Sequence, residues 1–321
     1  MLTSDRLVRT TKAFPALTGL TRDEFDRPFG SFEATSGALR AASTHTRRGS
    51  RKRTRATGAG RRHTLAPRTR LLLALVWSRV YPTYELLGWL FGLDKSNAWH
   101  NTPDVLEVPD TLTDFPFDRP DPARRKLQTA EPVMEAFPEV RVIVDAKERA
   151  FRRPTGWDRQ KPFHSGKKKR HTVKNQVACT PGGRIVSVSA TAPGRTHDPT
   201  VLRYNGLLDR LPAGAGLMTD EGHIGVATDA GARPVVPPVR ASRNRPLTDE
   251  QKASNRVISG CRVVVERVVA QLSRFQVLRQ MFRSVFGRHT RVFRVVALLV
   301  DRRSADSPVQ DLPERGMRGV G

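Results

Sequence analysis

The feature that most constrains the fold is the order of strand-like and helix-like segments after residue 138. Five short segments look like strands, the first of them dominated by β-branched residues, and Pro181-Gly182-Gly183 joins the second to the third as a hairpin-type turn. Helical spacing returns after the third segment and again after each later one. This order predicts a mixed α/β layer with a partly antiparallel sheet. The strand-like segments are residues 140–146, 173–180, 184–192, 216–222 and 233–238.

A long amphipathic helix is predicted after the last of these segments. Thr248 and Gln251 form a capping box, and apolar residues recur at i, i+3 and i+4 from Val257 to Phe275. A final helix is expected at about residues 288–300. We assign residues 138–303 to one α/β domain and expect residues 304–321 to be a disordered tail.

A separate helical module is predicted at residues 65–137, after an N-terminal helical segment and basic linker at 1–64. Apolar residues have helical spacing over 68–80, Thr83 can cap a second helix that Gly92 closes, and Asp94 or Ser96 can cap a third. Two helices joined in this way are typical of a helix-turn-helix, and an ordinary helical bundle is the alternative.

The third helix of this module would carry the DNA contacts. Helix-turn-helix proteins commonly lay the second helix of the pair in the major groove, which makes Lys95, Ser96 and Asn97 candidate contacts. Pro103 predicts that this helix has only about two turns, because proline inside a helix costs about 3 kcal/mol.

The charge balance makes nucleic acid the first partner to consider. The 321 residues include 56 Lys or Arg and 31 Asp or Glu, for a net charge of +25, and each neutralised phosphate adds affinity that needs no sequence match. Residues 41–64 are basic and contain no acid, which predicts a flexible tether that could also follow phosphates. No acid occurs between Asp158 and Asp198, so this basic stretch is expected to lie along a polyanion. Its candidate contacts are Lys167, Lys168, Lys169, Arg170 and Lys174.

Several other classes of protein are disfavoured. Two cysteines are too few for a disulfide scaffold or a zinc site made of thiolates, and the histidines lack zinc-binding spacing. The longest apolar run, residues 71–77, is far shorter than the roughly 20 residues of a membrane span. The chain has no Gly-rich phosphate loop for a nucleotide and no aromatic stacking motif for RNA. We therefore expect a reduced, cytoplasmic protein that needs no nucleotide.

Three acids stand where phosphodiester chemistry would use them. Asp145 and Asp220 each follow an apolar strand, and Glu266 lies in a helical segment rich in valine. Oxygen ligands of this kind suit two Mg²⁺ or Mn²⁺ ions about 4 Å apart. The alternatives are that the aspartates cap turns and that Arg262 and Glu266 form an ordinary i,i+4 surface pair. Spacing alone leaves this choice open.

Five motifs resemble the DDE-superfamily endonuclease domain of insertion-sequence transposases, and within it the insertion-sequence five group and its Harbinger-like relatives. They occur in the family's order and are preceded by a helix-turn-helix-like segment at 68–98, and the whole resemblance covers about residues 15–303. The five motifs are DAKE (145–148), FHSGKKKRHTVKNQ (163–176), SATAPGRTHD (189–198), TDEGHIG (219–225) and PLTDEQKASNRVISGCRVVVERV (246–268).

The resemblance implies a ribonuclease-H-like sheet and gives roles to particular residues. Asp145, Asp220 and Glu266 correspond to the catalytic, metal-binding acids, and Arg262 to an arginine that orients the glutamate or a DNA phosphate. His197 and Asp198 lie in the matched SATAPGRTHD motif and would support the site, with a helix cap at Asp198 as the alternative.

The chain also departs from the family's pattern at three positions. It has Ala146 where glycine usually follows the first aspartate, His223 where tyrosine is usual, and Ser273 where a lysine or arginine is usual. None of these changes alters the three acids, but the change at Ser273 removes a basic side chain.

The resemblance and the charge together predict a transposase that cleaves DNA at terminal inverted repeats and joins it to target DNA. We expect double-stranded DNA as the partner, two Mg²⁺ or Mn²⁺ ions as cofactors, a homodimer or larger assembly on DNA, and a location with the bacterial nucleoid. The alternative is a DNA-binding protein that derives from such an enzyme and has no catalytic activity.

Overall fold

The computed structural model describes residues 2, 12–26, 65–111, 137–223, 226–231, 233–242 and 246–306. The basic tether at 41–64, and the expected tail beyond residue 306, lie outside these ranges. Over the described part of the chain, no helix combines the length and the apolar character that crossing a membrane requires.

A seven-stranded mixed sheet forms the centre of the molecule. Strand β1 pairs antiparallel with β3 on one side and parallel with β6 on the other, and β7 extends the parallel half. Strands β2, β4 and β5 all pair antiparallel with β3. The strands are β1 (Val140–Ala150), β2 (His164–Ser165), β3 (Arg170–Cys179), β4 (Ile185–Val188), β5 (Ala192–Pro193), β6 (Gly216–Met218) and β7 (Val235–Val236). The predicted α/β class and the partly antiparallel sheet are confirmed.

Helices cover both faces of this sheet. Those of the C-terminal part are α6 (Trp157–Gln160), α7 (Asp198–Asn205), α8 (Leu207–Arg210), α9 (Val226–Asp229), α10 (Asp249–Leu272), α11 (Gln276–Arg279) and α12 (Phe286–Asp306), and single 3₁₀ turns lie at Lys161–Phe163 and Glu221–His223. The Thr248 side chain accepts from the Gln251 backbone and the Gln251 side chain accepts in return, as the capping box predicted. Helix α12 ends six residues later than expected for the final helix, and three residues beyond the predicted domain end.

The alternation of side chains along β1 divides the core in two. Val142 and Val144 pack with α7 and α8 through Leu202 and Leu207. Ile143 points to the other side, where it belongs to a larger apolar cluster that includes α10 and α12. Successive residues of β1 therefore point to opposite faces of the sheet, and the same alternation decides which face each polar residue of β1 lies on.

The N-terminal helices share that larger cluster. They are α1 (Ala13–Thr18), α2 (Arg22–Asp26), α3 (Pro67–Val80), α4 (Tyr84–Phe91) and α5 (Lys95–Thr111). Tyr81 connects them to the C-terminal part: its hydroxyl accepts from the Arg283 backbone at 2.7 Å, and the Arg283 guanidinium carbon lies 4.0 Å from the centre of its ring. The N-terminal helices and one face of the sheet thus share the larger of the two apolar clusters.

The predicted caps of this module are present, but the prediction about Pro103 is wrong. Thr83 accepts from the Leu86 backbone, Gly92 ends α4 in the left-handed conformation, and Asp94 accepts from the Asn97 backbone. Helix α5 continues through position 103 to Thr111. Its buried residues Ala98 and Leu106 belong to the shared core, and this packing offsets the local cost of proline.

Candidate active site

Adjacent parallel strands bring Asp145 and Asp220 together. Leu217 pairs with Val142 and Met218 with Ile143. Continuing this register by two residues places Asp220 beside Asp145, and neighbouring strands lie about 5 Å apart. Because β6 ends at Met218, Asp220 leaves the sheet where its carboxylate is only partly buried. The two aspartates are therefore neighbours, but the expectation that both follow a strand holds only for Asp220: β1 continues to Ala150, so Asp145 lies in the middle of its strand.

The two carboxyl groups have opposite pKa shifts. Burial, and next the nearby charge of Asp220, raise the pKa of Asp145, although Arg262 partly counteracts them. For Asp220, burial acts to raise the pKa, but a hydrogen bond from His223 and the charge of Arg262 outweigh it and lower the pKa. Asp220 therefore ionises readily, whereas the ionised form of Asp145 is disfavoured and is stabilised by a nearby cation.

Arg262 on α10 supplies one such cation. Its Nη2 lies 3.9 Å from Asp145 Oδ1, which is the limit of an ion pair. Glu266 follows one turn later, and residues four apart on a helix have Cβ atoms about 5–6 Å apart. Glu266 thus lies on the helix that covers the aspartates, beside the arginine that contacts one of them.

The surroundings of Glu266 differ from the sequence-based expectation. The valine-rich segment indicated a carboxylate enclosed by apolar side chains, but Glu266 is exposed, while Val264 and Val265 are buried in the core. Both valines belong to the buried stripe of α10, whereas Glu266 lies outside that stripe. Burial therefore gives no reason to assign Glu266 a metal, and its role depends on the position next to Arg262.

A second group of possible metal ligands surrounds Asp220. One ligand atom from each of Asp198, Asp220 and His223 lies within 4.8 Å of the other two. Gly222 makes this approach possible, since a Cβ at that position would lie 2.7 Å from Asp198 Oδ2. The predicted supporting residue Asp198 is therefore next to Asp220, whereas its neighbour His197 is exposed and its side chain makes no capping hydrogen bond.

Lys174 occupies the other side of Asp198. Its Nζ lies 2.7 Å from Asp198 Oδ1 and 3.9 Å from Glu148 Oε1, and it donates to the Thr196 carbonyl at 2.7 Å. Only 8% of Lys174 is exposed. The expectation that Lys174 contacts the DNA backbone is therefore wrong, because the ammonium is enclosed and paired inside the protein. The predicted helix cap at Asp198 is replaced by this ion pair.

The other candidate DNA contacts are on the surface. The turn between β2 and β3 exposes Lys167, Lys168 and Lys169, and Arg170 at the start of β3 is also exposed. In the first turn of α5, Lys95, Ser96 and Asn97 are exposed, and Lys95 forms an ion pair with Glu85 of the preceding helix. These positions are accessible to a large polyanion.

The comparisons with known proteins agree with this geometry. Residues 144–301 match the family described as DDE superfamily endonuclease. This part of the chain is a DDE-superfamily domain. The matched range includes all five motifs of the resemblance, and the roles of Asp145, Asp220 and Glu266 stay predictions. The more specific assignment to the insertion-sequence five group stays a prediction.

One curated relative extends beyond this DDE-superfamily domain. The chain is 26% identical over 232 residues to a protein of Microchaete diplosiphon described as a probable transposase for insertion sequence element IS702, covering 72% of this chain and 78% of the relative. No solved structure matches the chain significantly.

Sequence reasoning missed the buried polar network next to Asp220, in which His223 contacts Asp220, Gln176 contacts His223 and Lys174 contacts Asp198. Gln176 and Lys174 alternate on β3 and His223 follows the second aspartate, but none was predicted to support the site. A usable signal was present: polar residues at every second position of a strand with apolar neighbours indicate one polar, enclosed face. A second signal was His223 itself, which stands where tyrosine is usual in the family that the chain resembles.

Proposed function

We propose that the protein is a transposase that cleaves DNA at the ends of an insertion sequence and transfers the strand to target DNA. Asp145, Asp220 and Glu266 would hold two Mg²⁺ or Mn²⁺ ions. The observation that carries the proposal is the closeness of Asp145, on β1, to Asp220, two residues beyond the end of the neighbouring parallel strand β6, within the part of the chain that matches DDE-superfamily endonucleases. The relative's description as a probable transposase supports the same activity for this chain.

The residues present fit such ions. The proposed ligands are all carboxylate oxygens, which Mg²⁺ and Mn²⁺ prefer. Mutual repulsion contributes to the raised pKa of Asp145, and a divalent cation would relieve it. When bound, two such ions stabilise the attacking and leaving oxygens of an in-line phosphodiester displacement.

The chain itself would contribute positioning and attraction. Arg262 is placed to orient Glu266 or a phosphate, and the exposed basic turn at residues 167–170 would hold the DNA backbone without reading its sequence. The strand order β4-β3-β1-β6-β7, antiparallel in its first half and parallel in its second, supports the ribonuclease-H-like fold that the resemblance implies. The pair α4 and α5 would recognise the terminal repeats, and we expect two copies to bring two ends together.

A nicking assay on DNA with the terminal inverted repeats of the element, in the presence of Mg²⁺, tests this function. Asp145→Asn, Asp220→Asn and Glu266→Gln should each lower the cleavage rate at least roughly a thousandfold, or about 4 kcal/mol of transition-state stabilisation. DNA affinity without metal should be retained, because the substitutions remove negative charge.

Two matched variants control for the change of charge. Glu250→Gln alters an exposed acid in the first turn of α10, the helix that carries Glu266. Asp209→Asn alters an exposed acid on α8. Both should cleave like the unmodified protein. If the unmodified protein binds the repeats but never cleaves them, the DNA-binding protein without catalysis is the better description; if Glu266→Gln alone retains activity, Glu266 is not a ligand.

A further inference from the structure

The two oxygens of the Asp220 carboxylate have different surroundings. Oδ1 accepts a hydrogen bond from the backbone of Gly222 at 3.1 Å and another from Nδ1 of His223. Oδ2 receives no hydrogen bond from any residue that the structure describes. The carboxylate is thus held through one oxygen, and the other is available to an external ligand.

The direction of the hydrogen bond from His223 follows from its neighbours. Gln176 Nε2 lies 2.7 Å from the backbone carbonyl of Asp198, which can only accept, so this atom must be the amide nitrogen. The same nitrogen lies 2.9 Å from His223 Nε2. Nε2 therefore accepts, and the proton of the neutral imidazole is on Nδ1, from which it is donated to Asp220.

This chain of hydrogen bonds is enclosed and anchored. Gln176 is 2% exposed and His223 is 1% exposed. Gln176 belongs to β3 opposite Ala146, one residue from Asp145 on β1, and the Asp198 carbonyl lies at the start of α7. Asp220 itself follows the end of β6. A residue on the central sheet therefore fixes the orientation of the imidazole that holds a carboxylate outside the sheet.

We propose that His223, oriented by Gln176, is a positioning residue that fixes Oδ1 of Asp220 and leaves Oδ2 free to bind a divalent cation. The proposal rests on the proposed function, because it takes Asp220 as a metal ligand. It gives a role to the residue at which this chain departs from the usual tyrosine of the family.

Mn²⁺ binding to the full-length protein without DNA tests the proposal, with electron paramagnetic resonance as the readout of free Mn²⁺. His223→Phe keeps a ring of similar size but cannot donate, and should weaken Mn²⁺ binding about 10–100-fold, as loss of a ligand's hydrogen-bond partner usually does. In His223→Asn, the side-chain nitrogen can take the place of Nδ1, so affinity should stay within about threefold of the original value. Equal affinity in His223→Phe and the unmodified protein would overturn the proposal.

A measurement on the unmodified protein does not depend on whether these variants fold. In ¹⁵N spectra of histidine-labelled protein without metal, the His223 signals, identified by their loss in His223→Asn, should be those of a neutral ring protonated at Nδ1. A ring protonated at Nε2 would contradict the inferred direction of donation. Gln176→Leu removes the donor to Nε2, so both forms should appear; a single unchanged form would show that Gln176 does not set the orientation.

Asp220→Asn separates this inference from the proposed function. If Asp220→Asn leaves Mn²⁺ affinity unchanged, Asp220 is not a ligand and the proposed function fails with it. If Asp220→Asn abolishes binding while a folded His223→Phe, checked by thermal unfolding, binds normally, only the role of His223 is wrong.

Discussion

The two faces of the β1–β3 strand pair both bury a cation, but they surround it differently. On the α7 face, formed by Glu148, Lys174 and Gln176, the Lys174 ammonium lies between two carboxylates, at 2.7 Å from Asp198 and 3.9 Å from Glu148. Glu148 also accepts from the Thr172 hydroxyl at 3.0 Å. Charges of opposite sign therefore meet on this face, directly beside Asp220.

The α12 face, formed by Arg149 and Asn175 under helix α12, has no such pairing. Arg149 is 5% exposed, and among the described residues no carboxylate lies within ion-pair distance of it. Its guanidinium carbon lies 4.8 Å from the centre of the Phe293 ring, and Nη1 donates to the Lys147 carbonyl at 3.3 Å. Burial lowers the pKa of Arg149 to about 10.

The difference shows that burial alone does not tell how much a cation stabilises the fold. Removing a cation that neutralises buried acids leaves those acids uncompensated, which is costly. Removing a cation that is packed against a ring also removes its own desolvation penalty. We therefore expect the two faces to respond very differently to loss of their central cation.

The largest effect is expected for Lys174→Met. The substitution keeps most of the side-chain volume but leaves Glu148 and Asp198 without their cation, so the free energy of unfolding should fall by roughly 3–5 kcal/mol. Urea denaturation followed by circular dichroism measures this loss. The matched control is Lys252→Met, which breaks an exposed pair with Asp249 on α10 and should leave stability almost unchanged. Equal losses in the two variants would contradict the assigned role of the α7 face.

The strands on which both faces depend could be predicted from the sequence because β-branched segments and turns are local signals. The central position of β1, with β3 on one side and β6 on the other, is a non-local result that the residue pattern did not give. Likewise, proline at position 103 has a local cost in a helix, but packing of α5 against the shared core outweighs it, so the helix does not end there.

The candidate site, too, could be predicted from the sequence only in part. Asp145 and Asp220 were identified because each follows an apolar strand, and the parallel pairing of β1 and β6 explains why they meet. The basic stretch from 159 to 195 predicted that Lys174 contacts DNA together with the lysines at 167–169, but the alternation of β3 turns Lys174 inward, while the lysines of the preceding turn are exposed. Net charge of a segment therefore predicts a partner, whereas strand register decides which cations can reach it.

A smaller effect is expected on the α12 face, from His289. Its Nδ1 lies 2.9 Å from the Thr191 hydroxyl, and burial, followed by the charge of Arg149, lowers the pKa of His289 to about 3. The unfolded chain binds the proton near the ordinary value of 6.5, so this residue favours the folded state above pH 6.5 and loses that contribution as the pH falls. Between pH 6.5 and 5 the loss should be about 2 kcal/mol, at 1.36 kcal/mol per pH unit.

Comparison with His289→Gln isolates this loss from the titration of carboxylates. The free energy of unfolding of the variant should decline less steeply between pH 6.5 and 5 than that of the unmodified protein. His197→Gln, which changes an exposed histidine, should keep the original slope. Parallel curves for His289→Gln and the unmodified protein would mean that His289 is not held neutral by its surroundings.

The smallest effect is expected for Arg149→Met, which completes the comparison with Lys174→Met. The substitution loses the contact with Phe293 and one long hydrogen bond, yet it also removes the cost of burying an unpaired cation, so the net loss should be about 1 kcal/mol or less. It also removes a positive charge that lowers the pKa of His289, so the loss of stability on acidification should end at a higher pH and be smaller in total. Urea denaturation at several pH values measures both changes. A loss as large as that of Lys174→Met would mean that Arg149 is compensated by charge after all, with the nearby Asp145 as the acid to test next, because Asp145 raises the pKa of Arg149 from the same face of β1.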